Sequence, residues 1–227
     1  MTHRAIPVAI AIAVLVGGIA VGAGQASAVL ISINNASFED PSTTTTSSVI
    51  TGWTIGGTGG AGVWNLTTFA SGFWTVPAPA GDQIAFLSNA PAPGSAATIR
   101  QSLGVLLAAD TVYTLSGKVG HPSNPAGDPT FLATYTATLL AGSNVLVSTS
   151  GTGPLGTFAD FAVSFDSTGS GFVGVEILGI QLSSSNAQTG FDAISLDAAP
   201  VPEPSTLLLF GVGLVGLGGA VWRRRCP

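Results

Sequence analysis

Ten carboxylates, one histidine and a cluster of aromatic rings are the groups with which residues 29–199 could do chemistry. A glycosidase needs two carboxyls facing one bond, and ten acids would allow it, but most of them stand in turns, where Asp serves turn geometry and solubility. His121 lies in His121-Pro122-Ser123-Asn124-Pro125, so a Ser-His-Asp relay would have to be assembled around a loop, and a solvated loop histidine is expected instead. No cluster of Cys and His offers a zinc site, and no glycine-lysine loop offers a phosphate cradle. Against the ten acids stand only Arg100 and Lys118, an excess of negative charge that argues against nucleic acid or anionic lipid as a partner. On these grounds a non-enzymatic protein is expected.

The aromatics are more suggestive. Trp53, Trp64, Phe73 and Trp74 fall within 22 positions of the first third. A flat indole on a sheet or loop can stack the apolar face of a sugar ring, which makes Trp53, Trp64 and Trp74 candidates for binding an extracellular polysaccharide. The alternative for each is burial in a core, the usual fate of a large aromatic. Trp74, close to Gly72 and Pro77, is the one expected to be exposed.

The elements that must carry these groups read as strands. Ile99, Gln101 and Leu103 alternate with Thr98, Arg100 and Ser102, and Tyr113 and Leu115 with Thr114 and Ser116, the period of a half-buried strand. Phe131, Ala133, Tyr135, Ala137 and Leu139 share one face, as do Phe161, Val163 and Phe165, while 172–182 is apolar on both faces like a covered central strand. The run Ser42 to Ser48 is all Ser and Thr and reads as a loop. About ten short strands, punctuated by Gly, Pro, Asn and Ser and without helical periodicity, predict an antiparallel β-sandwich. The all-β class follows from that pattern alone.

Three stretches sharpen it. Asn34 to Pro41 followed by Gly52-Trp53, then Tyr113-Thr114-Leu115-Ser116, then Phe191-Asp192-Ala193-Ile194-Ser195-Leu196 resemble the landmarks of the galactose-binding-like jelly roll, a fold shared by families of carbohydrate-binding modules. The resemblance implies that an acid of the first strand and one of the last meet beside a structural calcium, and the matching positions are Glu39 and Asp192. Calcium takes hard oxygen ligands that backbone carbonyls can complete. The alternatives are a solvated Glu39 and an Asp192 that merely caps a strand.

The two ends supply addresses. His3 and Arg4, an apolar run from Ala5 to Ala23 and then Ala26-Ser27-Ala28 have the form of a secretory signal peptide over residues 1–28, cut by signal peptidase after Ala28. At the other end Thr206 to Trp222 are 17 uncharged residues, enough for a single transmembrane helix of roughly 25 Å. Arg223, Arg224 and Arg225 follow, and such a cluster is held on the cytoplasmic side, placing the rest of the chain outside the inner membrane. Pro202-Glu203-Pro204, the apolar span and the arginines, in that order over 200–227, resemble the PEP-CTERM sorting signal. That resemblance implies an exosortase, a membrane-embedded cysteine protease that cleaves near the Pro-Glu-Pro. The single cysteine, Cys226, leaves no disulfide framework for the 29–199 ectodomain.

The reading that results is an exported cell-surface or matrix protein whose sandwich binds extracellular polysaccharide. Its alternatives are a structural or adhesive surface protein and a polysaccharide hydrolase.

Overall fold

The computed structural model describes residues 27–69, 72–88, 96–123 and 133–201. The expected signal-peptide core, the Pro202-Glu203-Pro204 motif, the 206–222 helix and Arg223 to Arg225 lie outside the described residues; Ala28 lies within them and is exposed. Among the described residues no helix is long and apolar enough to cross a membrane.

Among the described residues there are twelve strands and one helical turn: β1 Val29–Ile31, β2 Thr46–Ser47, β3 Thr54–Gly57, β4 Gly60–Asn65, α1 Leu66–Phe69, β5 Gln83–Ser88, β6 Ala96–Leu106, β7 Thr111–Gly120, β8 Thr134–Ala141, β9 Asn144–Thr152, β10 Phe158–Asp166, β11 Ile177–Ser185 and β12 Thr189–Pro200. They form two antiparallel sheets. The larger runs β10-β7-β12-β5-β4-β2, with β1 also on β12, and the smaller runs β3-β6-β11-β8-β9. This is the sandwich that the alternation predicts, and the core fills the space between the sheets. Val63, Ala85, Leu115, Val119, Phe161 and Phe191 come from the larger sheet and Ile99, Leu139, Ile180 and Leu182 from the smaller.

Three expectations are corrected here. Trp53 is a core residue, 7% exposed, packed 5.4 Å from Phe38, with its Nε1 donating to the Asn34 carbonyl at 3.1 Å, so it offers no face to a sugar. Residues 172–176 are a turn rather than strand: Val175 and Glu176 both donate to the Phe172 carbonyl, and Gly174 sits at φ 69°. The strand begins at Ile177 and turns Leu178, Ile180 and Leu182 into the core, with Gly179, Gln181 and Ser183 alternating on its other face. Within the Ser/Thr run, Thr46 and Ser47 pair with Trp64 and Val63 as an edge strand.

Candidate functional site

Because side chains alternate along a strand, β4, β5, β7, β10 and β12 each present a second face, outside the sandwich. On it Trp64, Ile84, Phe86 and Phe158 form a separate apolar cluster with Leu66, Trp74 and Ala78. In register across the sheet the row Phe158, Gly120, Gly190, Phe86 contains two adjacent glycines. Trp74, from the segment between α1 and β5, lies in the trough they leave. A Cβ at Gly190 would stand 2.9 Å from its Cη2, and one at Gly120 2.9 Å from its Cζ3, closer than packed carbons approach. The indole stacks on Phe158 at 4.4 Å and 0° and meets Trp64 edge-on at 6.3 Å, while Trp64 meets Phe73 edge-on at 5.7 Å, arrangements that aromatic quadrupoles favour. Beside these rings opens a cleft of about 240 Å³ lined by Thr46, Trp64, Phe73, Phe86 and Gln188.

The exposures reverse the expected order. Trp64 and Trp74 are each 6% exposed and Phe73 is 37% exposed, so the accessible ring is Phe73, and Trp74 is wall rather than platform. Phe86 and Phe158 were not singled out by sequence.

The segment carrying Phe73 and Trp74 is tied down on both sides. Ser123 donates from its N and its Oγ to the Phe73 carbonyl at 2.8 and 2.9 Å, and Thr75 donates from its N to the Gly156 carbonyl at 2.8 Å. Gly156 in turn donates to the His121 carbonyl at 2.7 Å, and His121 N to that of Pro154 at 2.9 Å. His121 is therefore no solvated loop residue: it is 2% exposed, its Nε2 accepts from Ala133 N at 3.3 Å and its Nδ1 faces the Pro122 carbonyl at 3.2 Å. Only the neutral Nδ1–H form makes both bonds. Burial pulls its pKa below the usual 6.5, partly opposed by the Pro122 bond. For a base with a depressed folded pKa, the unfolded chain takes the proton first, so stability is lost as pH falls through 6.5 and below. His121→Phe is expected to flatten that loss in urea midpoints compared between pH 8 and pH 5; an unchanged slope would remove His121 as its source.

Further along β12, on the same outer face, stands Asp192. It is fully buried, its Oδ2 accepting from Ala80 N at 2.7 Å and its Oδ1 from Ala193 N at 2.6 Å. A bulge just after it, with Ala193 at φ 50°, breaks the pairing with β7 between Asp192 and Ser195. Glu39 approaches from the turn before β2, its Oε1 accepting from Asp82 N at 3.0 Å and Gln83 N at 2.8 Å. Glu39 and Asp192 thus both accept from backbone N–H groups of the 80–83 turn. Lys118, opposite Asp192 in register, pairs instead with Asp160 at 2.8 Å. Burial, and to a lesser degree the charge of Glu39, push Asp192 up to about 7 against the pull of its two N–H bonds.

Residues 29–197 match the model of a family described as HpiC1-like, HpiC1 cyclase. The chain belongs to the HpiC1-like cyclase family. An apo cyclase from Fischerella sp. is 29% identical with a TM-score of 0.68, covering 77% of this chain and 98% of its own. A Stig cyclase, Fisc, from Fischerella sp. TAU, in complex with (3Z)-3-(1-methyl-2-pyrrolidinylidene)-3H-indole, is 27% identical with a TM-score of 0.67, covering 77% and 99%. A cyclase from Fischerella sp. TAU in complex with 4-(1H-indol-3-yl)butan-2-one is 28% identical with a TM-score of 0.66, covering 76% and 98%. No curated protein matches the chain. The cyclase matches overturn the expectation of a non-enzymatic protein. Residues 200–225 of this HpiC1-like protein match the PEP-CTERM protein-sorting motif, which marks an exported, membrane-anchored precursor and implies processing by an exosortase.

Proposed function

We propose that residues 29–199 are a cyclase domain that folds an apolar, indole-bearing substrate in the cleft between Trp64, Phe73 and Phe86. The observation that carries the reading is an aromatic-walled cleft of about 240 Å³ on a sandwich of the cyclase family. Ring closure asks that two ends of one chain be held together, which a shaped apolar cleft does by restricting conformers. It also passes through electron-poor carbon, which the faces of Trp and Phe rings stabilise. Thr46 and Gln188 supply the polar contacts of the rim. Cyclisation converts one C=C into a ring bond at constant mass. The test is an alkenyl-substituted indole incubated with the purified exported protein and followed by chromatography with mass detection, alongside titration of 4-(1H-indol-3-yl)butan-2-one. Trp64→Ala and Phe86→Ala are each expected to weaken binding about tenfold, the scale of one lost aromatic contact. Absence of binding to the wild type would end the reading.

Glu39 and Asp192 are the residues that would hold a structural calcium. They bring two acids, one fully buried, against the 80–83 turn, where Gly81 at φ 78° lets the Glu39 carboxyl come close; among the described residues no third acid or histidine joins them, so backbone carbonyls would have to complete the ligand set. The cation would neutralise the pair and staple the first turn and β12 to the 80–83 turn, which leads directly into β5 and its Phe86. A polysaccharide partner for the sorted protein has less support, since of the four aromatics only Phe73 presents an exposed ring.

A further inference from the structure

One end of the sandwich gathers apolar side chains that the core does not take. Val105 and Leu106 close β6, Ile177 opens β11 opposite Leu106, Val175 lies in the turn before it and Val145 at the start of β9, and all five are 43% exposed or more. Backbone bonds fasten these segments to one another. Gly142 donates to the Ile177 carbonyl at 2.8 Å, Leu107 to that of Glu176 at 3.1 Å and Gly174 to that of Leu107 at 2.9 Å. Exposed apolar side chains grouped in this way mark a surface that meets something other than water.

The path of the chain indicates what it meets. Pro200, the end of β12, pairs with Thr111, and Val201 donates to the Asp110 carbonyl at 2.7 Å, in the turn that joins β6 to β7. The chain therefore leaves the domain at this same end. Only Pro202 to Ser205 separate Val201 from the uncharged run that begins at Thr206. Five Cα-to-Cα steps span at most about 18 Å however the backbone bends, so in the anchored precursor that the sorting motif marks, this end stays beside the bilayer. The chain also enters here, with Val29, 63% exposed, paired to Ala198. The charges around the patch are Asp110, Asp166, Glu176 and Asp197, with the Arg100 guanidinium donating to the Gly142 carbonyl. Four acids against one arginine give no attraction to anionic headgroups, which leaves apolar contact with neutral lipid.

We propose that this end of the domain rests on the membrane in the anchored precursor, with Leu106, Val145, Val175 and Ile177 set into the headgroup layer of zwitterionic lipid. The inference rests on the sorting motif and is independent of the cleft reading. It also orients the molecule. Gly190, beside the cleft, and Pro200 are ten residues apart on β12, about 33 Å at the rise of a strand, so a domain seated on its apolar end holds the cleft away from lipid and open to solution. Side chains at the water–lipid boundary bind in proportion to the apolar area they bury, and a tether this short supplies the proximity that a small patch lacks by itself.

The test uses the uncut full chain, one copy per phosphatidylcholine nanodisc, with Cys226→Ser and a single fluorophore on Val175→Cys or on Leu155→Cys. Leu155, 52% exposed, bridges to His121 at the cleft end. With a lipid carrying a nitroxide just below its headgroup, the label at 175 should lose most of its emission and the label at 155 should keep it. Leu106→Thr combined with Ile177→Thr removes apolar area while leaving strand formers at the two paired positions, and should restore the emission at 175. Replacing part of the lipid with phosphatidylglycerol should not deepen the quenching. Equal emission from the two labels would overturn the proposal, and so would a 175 label still quenched in the double variant, because the tether alone would then account for proximity. Quenching that grows with anionic lipid would make the contact electrostatic and overturn it as well. A 175 label that darkens only when two copies share a disc would assign the patch to a second copy of the chain instead. A full chain that does not enter the disc would remove the anchor and this surface together, leaving the cleft reading standing.

Discussion

Asp192→Asn is expected to abolish a pH dependence of stability that the wild-type domain shows in chelator between about pH 4 and 7. Burial holds the folded pKa at about 7 against 3.8 for a free aspartate, so across that window the folded chain binds a proton that the unfolded chain releases. The sign follows: the contribution is fully present below the unfolded pKa and is lost as pH rises through the folded one. At 1.36 kcal/mol per pKa unit, the rise from 3.8 to about 7 corresponds to roughly 4 kcal/mol lost on going to pH 8. Asparagine has no proton to lose. The wild-type curve should therefore fall relative to that of Asp192→Asn, whatever the other acids contribute to both. Calcium should reverse the loss, since a cation between Glu39 and Asp192 supplies at pH 8 the compensation that a proton supplies at pH 4, and binding to the folded state alone raises stability. Urea midpoints at pH 4.5 and 8, with chelator and with millimolar calcium, decide it. A slope that persists unchanged in calcium would remove the metal and leave Asp192 as a protonated acid on the cleft face. No difference between wild type and Asp192→Asn in chelator would remove both.

How much of this was legible in the chain depends on how local the cause is. Strands such as β7 and β10 bury one face and wet the other, so alternation at Tyr113, Leu115, Phe161 and Phe165 announced them. The pairing of β2 with β4 was not visible in a run of Ser and Thr, because two residues of edge strand are set by Trp64 and Val63 opposite rather than by their own propensity. Glu39 and Asp192 were picked out through short landmarks at the two ends of the domain, and both hold backbone N–H groups of the 80–83 turn. The aromatics were found too, but not their surroundings. Trp74 is buried because Gly120 and Gly190, far along the chain, cut the trough it fills, and nothing near residue 74 reports that. One signal was available. Gln83-Ile84-Ala85-Phe86-Leu87 is apolar on both faces, and a strand of that kind has a second apolar layer outside the sandwich, which is the cluster beside the cleft. His121 was misjudged for the same reason as Trp74: its burial comes from Ala133 and the 154–156 turn, across the end of the sheet.

The motif at 200–225 leads to the other large effect, on processing. Glu203 stands three positions before the 206–222 span and can stay in water at little cost, so an anchor as such gains nothing from it. Prolines such as Pro202 and Pro204 fix φ, bias their neighbours toward extended backbone and lack N–H groups, so an extended Pro-Glu-Pro segment that a protease cleft can accept is expected. Arg223 to Arg225 are expected to do separate work, holding the tail on the cytoplasmic side until the chain is cut. Glu203→Ala should therefore leave membrane insertion intact while the uncut, cell-bound precursor becomes the main species. Replacing all three arginines by alanine should instead disturb retention or orientation. Fractionation of cells and medium, with the mass of the C-terminal peptide, distinguishes the two. If Glu203→Ala protein reached its destination at the wild-type rate and with the same shortened C-terminus, Glu203 would have no part in recognition, and the arginines and the apolar span would have to carry the signal alone.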